Sequence, residues 1–264
     1  MAQITSRQHP IVRAFKSAAL GEAGVLLDGW HLLHDAADAG IDISIVAITD
    51  TPHDAANLAL LEALARSAEV VVVSQPVMNA LSPVRTPSGV AALARATPCA
   101  LDDVLTPAPG LVVVGSDVQD PGNAGAIIRS AEAGGATGVV LTGGSADPWG
   151  WKALRAAMGS TFRLPVLRHA DVLRAGDELR QRGLRVLAAV PQGGIPMHRV
   201  DLGPPTALIL GGEGGGLTNE VLLLADQHVT IPMQAPVESL NVAVAAAVLV
   251  YEARRQRAVS APAG

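Results

Sequence analysis

The chain alternates between short apolar runs and longer stretches in which apolar residues recur every three or four positions. Short apolar runs indicate buried strands, and the longer period indicates helices packed on one face. In the second half of the chain this pattern predicts the strands Leu111–Gly115, Gly138–Leu141, Leu164–Leu167, Leu184–Val190, Ala207–Leu210 and Val229–Ile231. It predicts the helices Ala124–Ala133, Lys152–Met158, Asp171–Arg182, Asn219–Ala225 and a closing helix from about Ser239 to Arg257.

A second alternating region covers residues 25–97. Its predicted helices and strands are Trp30–Ala39, Ile43–Ile48, Asn57–Ser67 and Val70–Val73. A proline-rich stretch follows, so the sequence predicts a domain at 1–97, a linker at 98–109 and a second domain at 110–264. Alternation of strands and helices predicts an α/β fold, with a mostly parallel sheet covered by helices on both faces.

The composition is that of a globular protein, because 49% of the 264 residues are hydrophobic and 16% are charged. No apolar run is long enough to span a bilayer, and the first ten residues lack the apolar core of a signal peptide. The single cysteine, Cys99, forms no metal-binding pattern. We therefore expect a cytoplasmic protein without a metal or a membrane segment. The net charge of -5 argues against a protein that coats nucleic acid nonspecifically. If RNA is the partner, the 2% aromatic content favours phosphate, ribose and backbone contacts over base stacking.

Three turns between a predicted strand and a predicted helix carry the candidate chemistry. The first contains the sequence DPGNAGAIIR from Asp120 to Arg129. Asn123 is placed to cap the following helix. Arg129 lies off the apolar stripe of that helix, among small residues that leave room for a substrate. An ordinary surface pair between Arg129 and Glu132 is the alternative interpretation.

The second turn contains LGGEGGGL from Leu210 to Leu217. So many glycines permit positive φ angles and let a ligand lie against bare backbone. Glu213 is the one side chain of this turn that can perform chemistry. The spacing matches neither a phosphate-binding P-loop nor a dinucleotide fingerprint, and a plain turn is the alternative.

The third turn runs from Ile231-Pro232-Met233 to Glu238-Ser239-Leu240-Asn241. Ser239 and Asn241 stand where a helix begins, so one of them is explained as its cap. The helix beyond carries an apolar stripe suited to packing against a second copy of the chain, namely Val244, Ala247, Val248 and Tyr251. Its last arginines, Arg254, Arg255 and Arg257, are interpreted as caps of its carboxyl end.

These segments together resemble the SpoU/TrmH family of RNA ribose 2′-O-methyltransferases. The resemblance rests on DPGNAGAIIRSAEAGG, KALRAAMGSTFRLPV, LILGGEGGGL and IPMQAPVESLNVAVAAAVLVYEA, and it covers Leu111 to Tyr251. The part before the linker resembles the family's smaller substrate-binding α/β domain. The resemblance implies a C-terminal trefoil knot in the second domain, S-adenosylmethionine as the cofactor and a homodimer.

The resemblance also assigns roles to individual residues. It implies that Gly211, Ile231 and Leu240 contact the cofactor, with Glu213, Gly214 and Met233 nearby. It matches Asn123, Arg129, Glu213, Ser239 and Asn241 to catalytic and positioning residues. The family usually has Asn where this chain has Gly212, often Gly where it has Ala235 and often Ser where it has Ala243. The residues expected at the reacting groups are present, which favours an active enzyme.

The expected activity is methylation of a ribose 2′-hydroxyl in RNA. Ribosomal RNA is favoured because the separate α/β domain before the methyltransferase domain resembles the arrangement in family members that act on large-subunit rRNA, and transfer RNA is the alternative substrate. A catalytically inactive RNA-binding assembly factor and a nucleotide-dependent oxidoreductase are further alternatives. A nucleotide-dependent oxidoreductase would carry a glycine fingerprint near the first strand, and the sequence has no such fingerprint there. A basic rim for RNA phosphates is expected from Arg7, Arg13, Lys152, Arg155 and Arg163, for each of which a salt bridge is the alternative.

Overall fold

The computed structural model describes residues 3–260, which divide into two compact units. The first unit contains residues 3–98 together with 149–162, and the second contains residues 99–148 and 163–260. Strands and helices are numbered below along the whole chain, and each unit is described by itself.

The first unit is built around a sheet with the strand order β1-β4-β2-β3. Its strands are β1 Val25–Asp28, β2 Ile43–Thr49, β3 Glu69–Val73 and β4 Val90–Ala94. Its helices are α1 Pro10–Ala19, α2 Trp30–Asp38, α3 Ala55–Leu64, α4 Gln75–Leu81 and α6 Trp151–Ala157, followed by the short α7 Ser160–Arg163 at the unit boundary. Strand β4 is antiparallel to both β1 and β2, whereas β2 and β3 are parallel.

One helix of the first unit comes from the middle of the predicted second domain. Leu154 of α6 is buried in the same core as Val25 and Leu27 of β1. The segment Trp149–Phe162 therefore packs in the first unit, whereas the sequence analysis places it in the domain at 110–264. Helical spacing identifies the apolar face of α6 but not the core that receives it.

The second unit contains a seven-stranded sheet within the described residues, in the order β7-β6-β5-β10-β8-β11-β9. Its strands are β5 Leu111–Ser116, β6 Gly138–Thr142, β7 Val166–His169, β8 Arg185–Ala189, β9 Ile195–Pro196, β10 Thr206–Gly211 and β11 Gln227–Thr230. Its helices are α5 Pro121–Gly134, α8 Val172–Gln181, α9 Asn219–Leu224 and α10 Val242–Ser260, and 3-10 turns lie at Asp103–Leu105 and Met197–Arg199. Each pair of neighbouring strands is parallel.

The α/β fold class predicted from the sequence is confirmed, because helices flank this parallel sheet and the side chains of its inner strand β5 are buried. The predicted linker at 98–109 is partly packed rather than free. Leu101 and Val104 lie in the core of the second unit, with Val104 fully buried. The knotted path of the C-terminal segment stays a prediction of the resemblance. Across residues 3–260, none of the helices combines the length and apolarity that a membrane crossing needs.

Helix α10 lies closely along α5, and this packing places the start of α10 beside the candidate site. A side chain at Gly134 would overlap Val250 of α10, so glycine permits the close approach. Arg254 donates to the Ala133 carbonyl oxygen at 2.7 Å. Arg257 donates to carbonyls of other segments, among them Pro109 at 2.8 Å. The prediction that Arg254, Arg255 and Arg257 cap their own helix is therefore wrong, because the first and last bind carbonyl groups outside α10 and Arg255 binds the carboxylate of Glu252.

Candidate active site

The glycine loop follows β10 and folds back on itself. The backbone of β10 is buried until Leu210 and emerges at Gly211. A Cβ atom at Gly211 would lie 2.5 Å from the Gly216 carbonyl oxygen, so the loop closes against its own base. Gly214 and Gly216 have φ angles of 95° and 62°, which favour glycine. The glycines therefore let the loop close tightly against its own base, and they leave a backbone surface that carries no side chains.

A cavity of about 710 Å³ opens between this loop and the start of α10. Its volume lies in the range of small-molecule sites, roughly 300–1,000 Å³. The six residues that the resemblance implied for the cofactor all line it: Gly211, Glu213, Gly214, Ile231, Met233 and Leu240. Apolar side chains and bare backbone suit the adenosine and methionine parts of S-adenosylmethionine, so the residues present fit this cofactor.

Three polar side chains join the three turns into one site. Asn241 donates its side-chain amide to Oδ1 of Asn123 at 3.0 Å. Asn123 in turn donates its amide to Oε1 of Glu213. Because these residues belong to the third, first and second turn respectively, their hydrogen bonds bring the three turns together in one place.

The prediction that Asn123 caps α5 is wrong. The helix begins at Pro121, and Asp120 is its cap, since Oδ1 of Asp120 accepts the Asn123 backbone amide at 2.8 Å. Proline suits the first helical position because its missing N–H would have no partner there. With Asp120 as the cap, the side chain of Asn123 is available to bridge Glu213 and Asn241.

Arg129 is exposed on α5 and does not line the cavity. Within residues 3–260 it makes no hydrogen bond or ion pair, and the alternative Arg129–Glu132 pair is not formed. Glu132 is held instead by Arg163, whose Nε and Nη2 lie 2.7 Å and 3.0 Å from its carboxylate oxygens. Arg129 is thus a free cation on the helix that carries Asn123.

The start of α10 combines a cap with part of the cavity wall. Oδ1 of Asn241 accepts the backbone amides of Ala243 and Val244 at 2.9 Å and 3.3 Å. The helix therefore begins at Val242, not at Ser239 as predicted. Ser239 lies before the helix and lines the cavity together with Asn241.

The sequence analysis missed several residues that line the same cavity. Ala189, Val190 and Pro191 form a wall at the carboxyl end of β8, and further apolar contacts come from Leu217, Leu222, Val229, Val242, Ala245 and Leu249. The turn after β8 carries a signal that could have been found, since PQGG directly follows a predicted strand. Ligand sites of parallel sheets lie beyond the carboxyl ends of their strands.

The residues expected to form a basic rim have different environments. Arg163 is paired with Glu132, as described above. Arg155 lies 4.0 Å from the buried Asp28 and Lys152 stands 5.5 Å from the ring of Trp151. Arg7 donates to the Pro76 carbonyl at 3.1 Å. In the part of the chain that the structure describes, no cluster of three His, Cys, Asp or Glu side chains is arranged for a metal ion.

Comparison with known proteins agrees with this geometry. Residues 110–251 match the model of the SpoU rRNA Methylase family, and residues 21–92 match the MRM3-like substrate binding domain. The chain is 34% identical to the 23S rRNA (guanosine(2553)-2′-O)-methyltransferase RlmP of Bacillus subtilis, over 87% of this chain and 88% of that protein.

Two solved structures are similar along nearly the whole chain. The AdoMet-bound rRNA methyltransferase from Sinorhizobium meliloti has a TM-score of 0.85 and 29% identity, covering 96% of this chain and 97% of that one. The SpoU methyltransferase AviRb from Streptomyces viridochromogenes, in complex with AdoMet, has a TM-score of 0.84 and 28% identity, covering 94% and 98%. The chain belongs to the SpoU rRNA methylase family. The resemblance predicted from its motifs is thereby confirmed.

Proposed function

We propose that this protein transfers a methyl group from S-adenosylmethionine to a ribose 2′-hydroxyl of RNA. The observation that carries the proposal is the hydrogen-bonded chain of Asn241, Asn123 and Glu213 at the rim of the glycine-loop cavity. A cavity for the methyl donor and polar groups for a ribose therefore lie side by side. A relative that shares most of the chain, RlmP of Bacillus subtilis, is named as a 23S rRNA 2′-O-methyltransferase, which supports the same activity.

The cofactor supplies a methyl group activated by a positively charged sulfur. The residues of the site would present the ribose 2′-hydroxyl to this methyl group, and the proton of the hydroxyl would pass to solvent. The tasks of the protein are to align the two reactants and to ease loss of that proton. The glycine loop, Ile231, Met233 and Leu240 would hold the donor against bare backbone and apolar side chains.

The polar residues would prepare the ribose for this attack. Asn123 and Asn241 fix each other, and Ser239 faces the same cavity, so these three can hold the sugar hydroxyls. Glu213 orients Asn123 by accepting its amide. Arg129, an exposed cation on α5, would bind an RNA phosphate and stabilise negative charge that develops on the 2′-oxygen. Arginine is a weak base, so charge stabilisation suits it better than proton abstraction.

Ribosomal RNA is the substrate that we favour over transfer RNA. The first unit contains the match to a substrate binding domain, and an additional domain of this kind suits a large folded RNA. We propose that residues 1–97 bind the RNA substrate, residues 98–109 form a linker and residues 110–264 carry the methyltransferase activity. Attack on a 2′-hydroxyl requires RNA, because DNA has no such group.

We also propose that the enzyme is a homodimer in the cytoplasm. One face of α10 packs on α5, whereas Val244 and Tyr251 are 48% and 50% exposed on another face. Leu240 and Val237, just before the helix, are exposed as well. An apolar patch of this kind beside the cavity fits a second copy of the chain. A cytoplasmic location suits the lone cysteine and an RNA substrate.

The activity is tested by mapping 2′-O-methyl groups in total RNA from cells with and without the gene. The proposal predicts one ribose position that loses its methyl group when the gene is deleted and regains it on complementation. Unchanged ribose methylation in ribosomal and transfer RNA would contradict the proposed activity. Loss of a position in transfer RNA would keep the reaction and change its substrate.

A further inference from the structure

The loop between β5 and α5 touches the glycine loop backbone to backbone. Gly212 donates its amide to the Ser116 carbonyl oxygen at 2.7 Å, which draws the glycine loop onto the end of β5. A Cβ atom at Gly212 would lie 2.5 Å from the carbonyl carbon of Asp117 and closer still to its carbonyl oxygen. A side chain therefore does not fit at Gly212 unless Asp117 moves.

Asp117 is held at this contact by its own side chain. Its φ angle is 55°, a left-handed conformation that is uncommon outside glycine but accessible to aspartate. Oδ1 of its carboxylate accepts the Gly144 amide at 2.7 Å, and Oδ2 accepts the Ser116 hydroxyl at 3.4 Å. The carboxylate thus fixes the backbone carbonyl that Gly212 meets.

The residue after Gly212 is Glu213, which lines the cavity and accepts the amide of Asn123. A shift of Asp117 would therefore move both the wall of the cavity and the carboxylate that orients Asn123. We propose that Asp117 is a positioning residue of the methyl-donor cavity, acting through its contact with Gly212. The inference deepens the proposed function, on which it rests for the identity of the ligand.

Two glycine variants form a matched pair for the test. Gly212→Ala introduces the clash with Asp117. Gly110→Ala is the control, because Gly110 lies outside the cavity lining and the atom nearest to its Cβ, the Leu105 carbonyl oxygen, would be 3.6 Å away. We expect Gly212→Ala to weaken S-adenosylmethionine binding, measured by titration calorimetry, by about tenfold or more. Gly110→Ala should stay within about twofold of the wild type. Equal affinities of the two variants would overturn the proposal.

A second pair acts on Asp117 and leaves Gly212 unchanged, so it decides the question even if Gly212→Ala does not fold. Asp117→Ala removes the acceptor for the Gly144 amide and should weaken cofactor binding. Asp117→Asn keeps an acceptor oxygen and tolerance of the left-handed conformation, so it should restore affinity. An Asp117→Ala protein that melts earlier but binds the cofactor like the wild type would reduce Asp117 to a structural role and refute the proposal.

The readout separates this inference from the proposed function. Cofactor binding is measured without RNA, so a wild-type chain that binds S-adenosylmethionine but methylates no ribose would refute only the proposed activity. A wild-type chain that does not bind S-adenosylmethionine would overturn both.

Discussion

At the scale of single residues, the amide of Asn123 contacts both of its polar neighbours in the site. It accepts from Asn241 and donates to Glu213, so one side chain links the three turns. Asn123→Ala should lower the single-turnover methylation rate by about a hundredfold, the loss typical of a misplaced reacting group. Residues that act as a unit lose activity non-additively. The double variant with Glu213→Ala should therefore be no slower than the slower single variant.

Asn219→Ala is the control for this cycle, because Asn219 is an exposed amide at the start of α9, outside the cavity lining. Its rate should equal that of the wild type. If the rate of the double variant fell by the product of the two single losses, that result would contradict a shared role of Asn123 and Glu213.

Arg129 has a different predicted effect, because it lies outside the cavity lining. Arg129→Ala should abolish methylation, whereas the affinity for S-adenosylmethionine should stay within about twofold of the wild type. Arg174→Ala is the matched control, since Arg174 is an exposed arginine on α8 of the same unit. Methyl transfer from tritiated cofactor and calorimetric titration measure the two quantities. Turnover retained by Arg129→Ala would remove its assigned role.

The cavity residues of the glycine loop could be predicted from the sequence, because positive φ angles and the close approach of a ligand to the backbone both require glycine there. It did not predict that Asp120 rather than Asn123 caps α5, since either residue type can serve as a cap. Asp117 and Gly212, which are in contact, lie about 95 positions apart in the sequence, and local patterns carry no information on such contacts.

At the scale of elements, one arginine near the end of α10 binds four carbonyl groups outside that helix. Arg257 donates to the carbonyl oxygens of Leu202 and Pro109 at 2.9 Å and 2.8 Å, and also to those of Gly110 and Pro204. Burial lowers the pKa of Arg257, although the group stays charged at neutral pH. Arg257→Ala should lower the free energy of unfolding by about 2 to 3 kcal/mol, because four carbonyl groups lose a charged donor.

Arg255→Ala is the control on the same helix, because Arg255 is exposed and pairs only with its neighbour Glu252 among the contacts described. Its free energy of unfolding should change by less than about 0.5 kcal/mol. Urea titrations followed by circular dichroism measure both variants. Equal losses would show that Arg257 does not fasten the helix.

How well each strand could be predicted from the sequence depended on how clear its run of apolar residues is. Strands β5 and β10 were predicted because their apolar runs are buried along nearly their whole length. Strands β1 and β4 were not identified, since VLLD is very short and VAALA is rich in alanine, which is depleted in strands. The antiparallel pairing of β4 with β1 and β2 follows from contacts distant in sequence.

At the scale of the whole molecule, the proposed dimer makes a prediction about the exposed face of α10. Tyr251 is 50% exposed on that face, and Tyr251→Asp would place a charge in an apolar interface. Sedimentation equilibrium should give the mass of a dimer for the wild type and of a monomer for this variant. Val259→Asp, at the far end of the same helix and 77% exposed, should remain dimeric. A monomeric wild type, or a dimeric Tyr251→Asp, would contradict the proposed interface.

The most direct test of the central claim asks which atom of RNA receives the methyl group. Purified protein is incubated with ribosomal RNA and S-adenosylmethionine labelled in its methyl group, and the product is hydrolysed with alkali. Alkaline cleavage requires a free 2′-hydroxyl, so a 2′-O-methylated nucleotide stays joined to its neighbour. The account predicts that the label is recovered in alkali-resistant dinucleotides. Label recovered in single nucleotides, as base methylation would give, would contradict it.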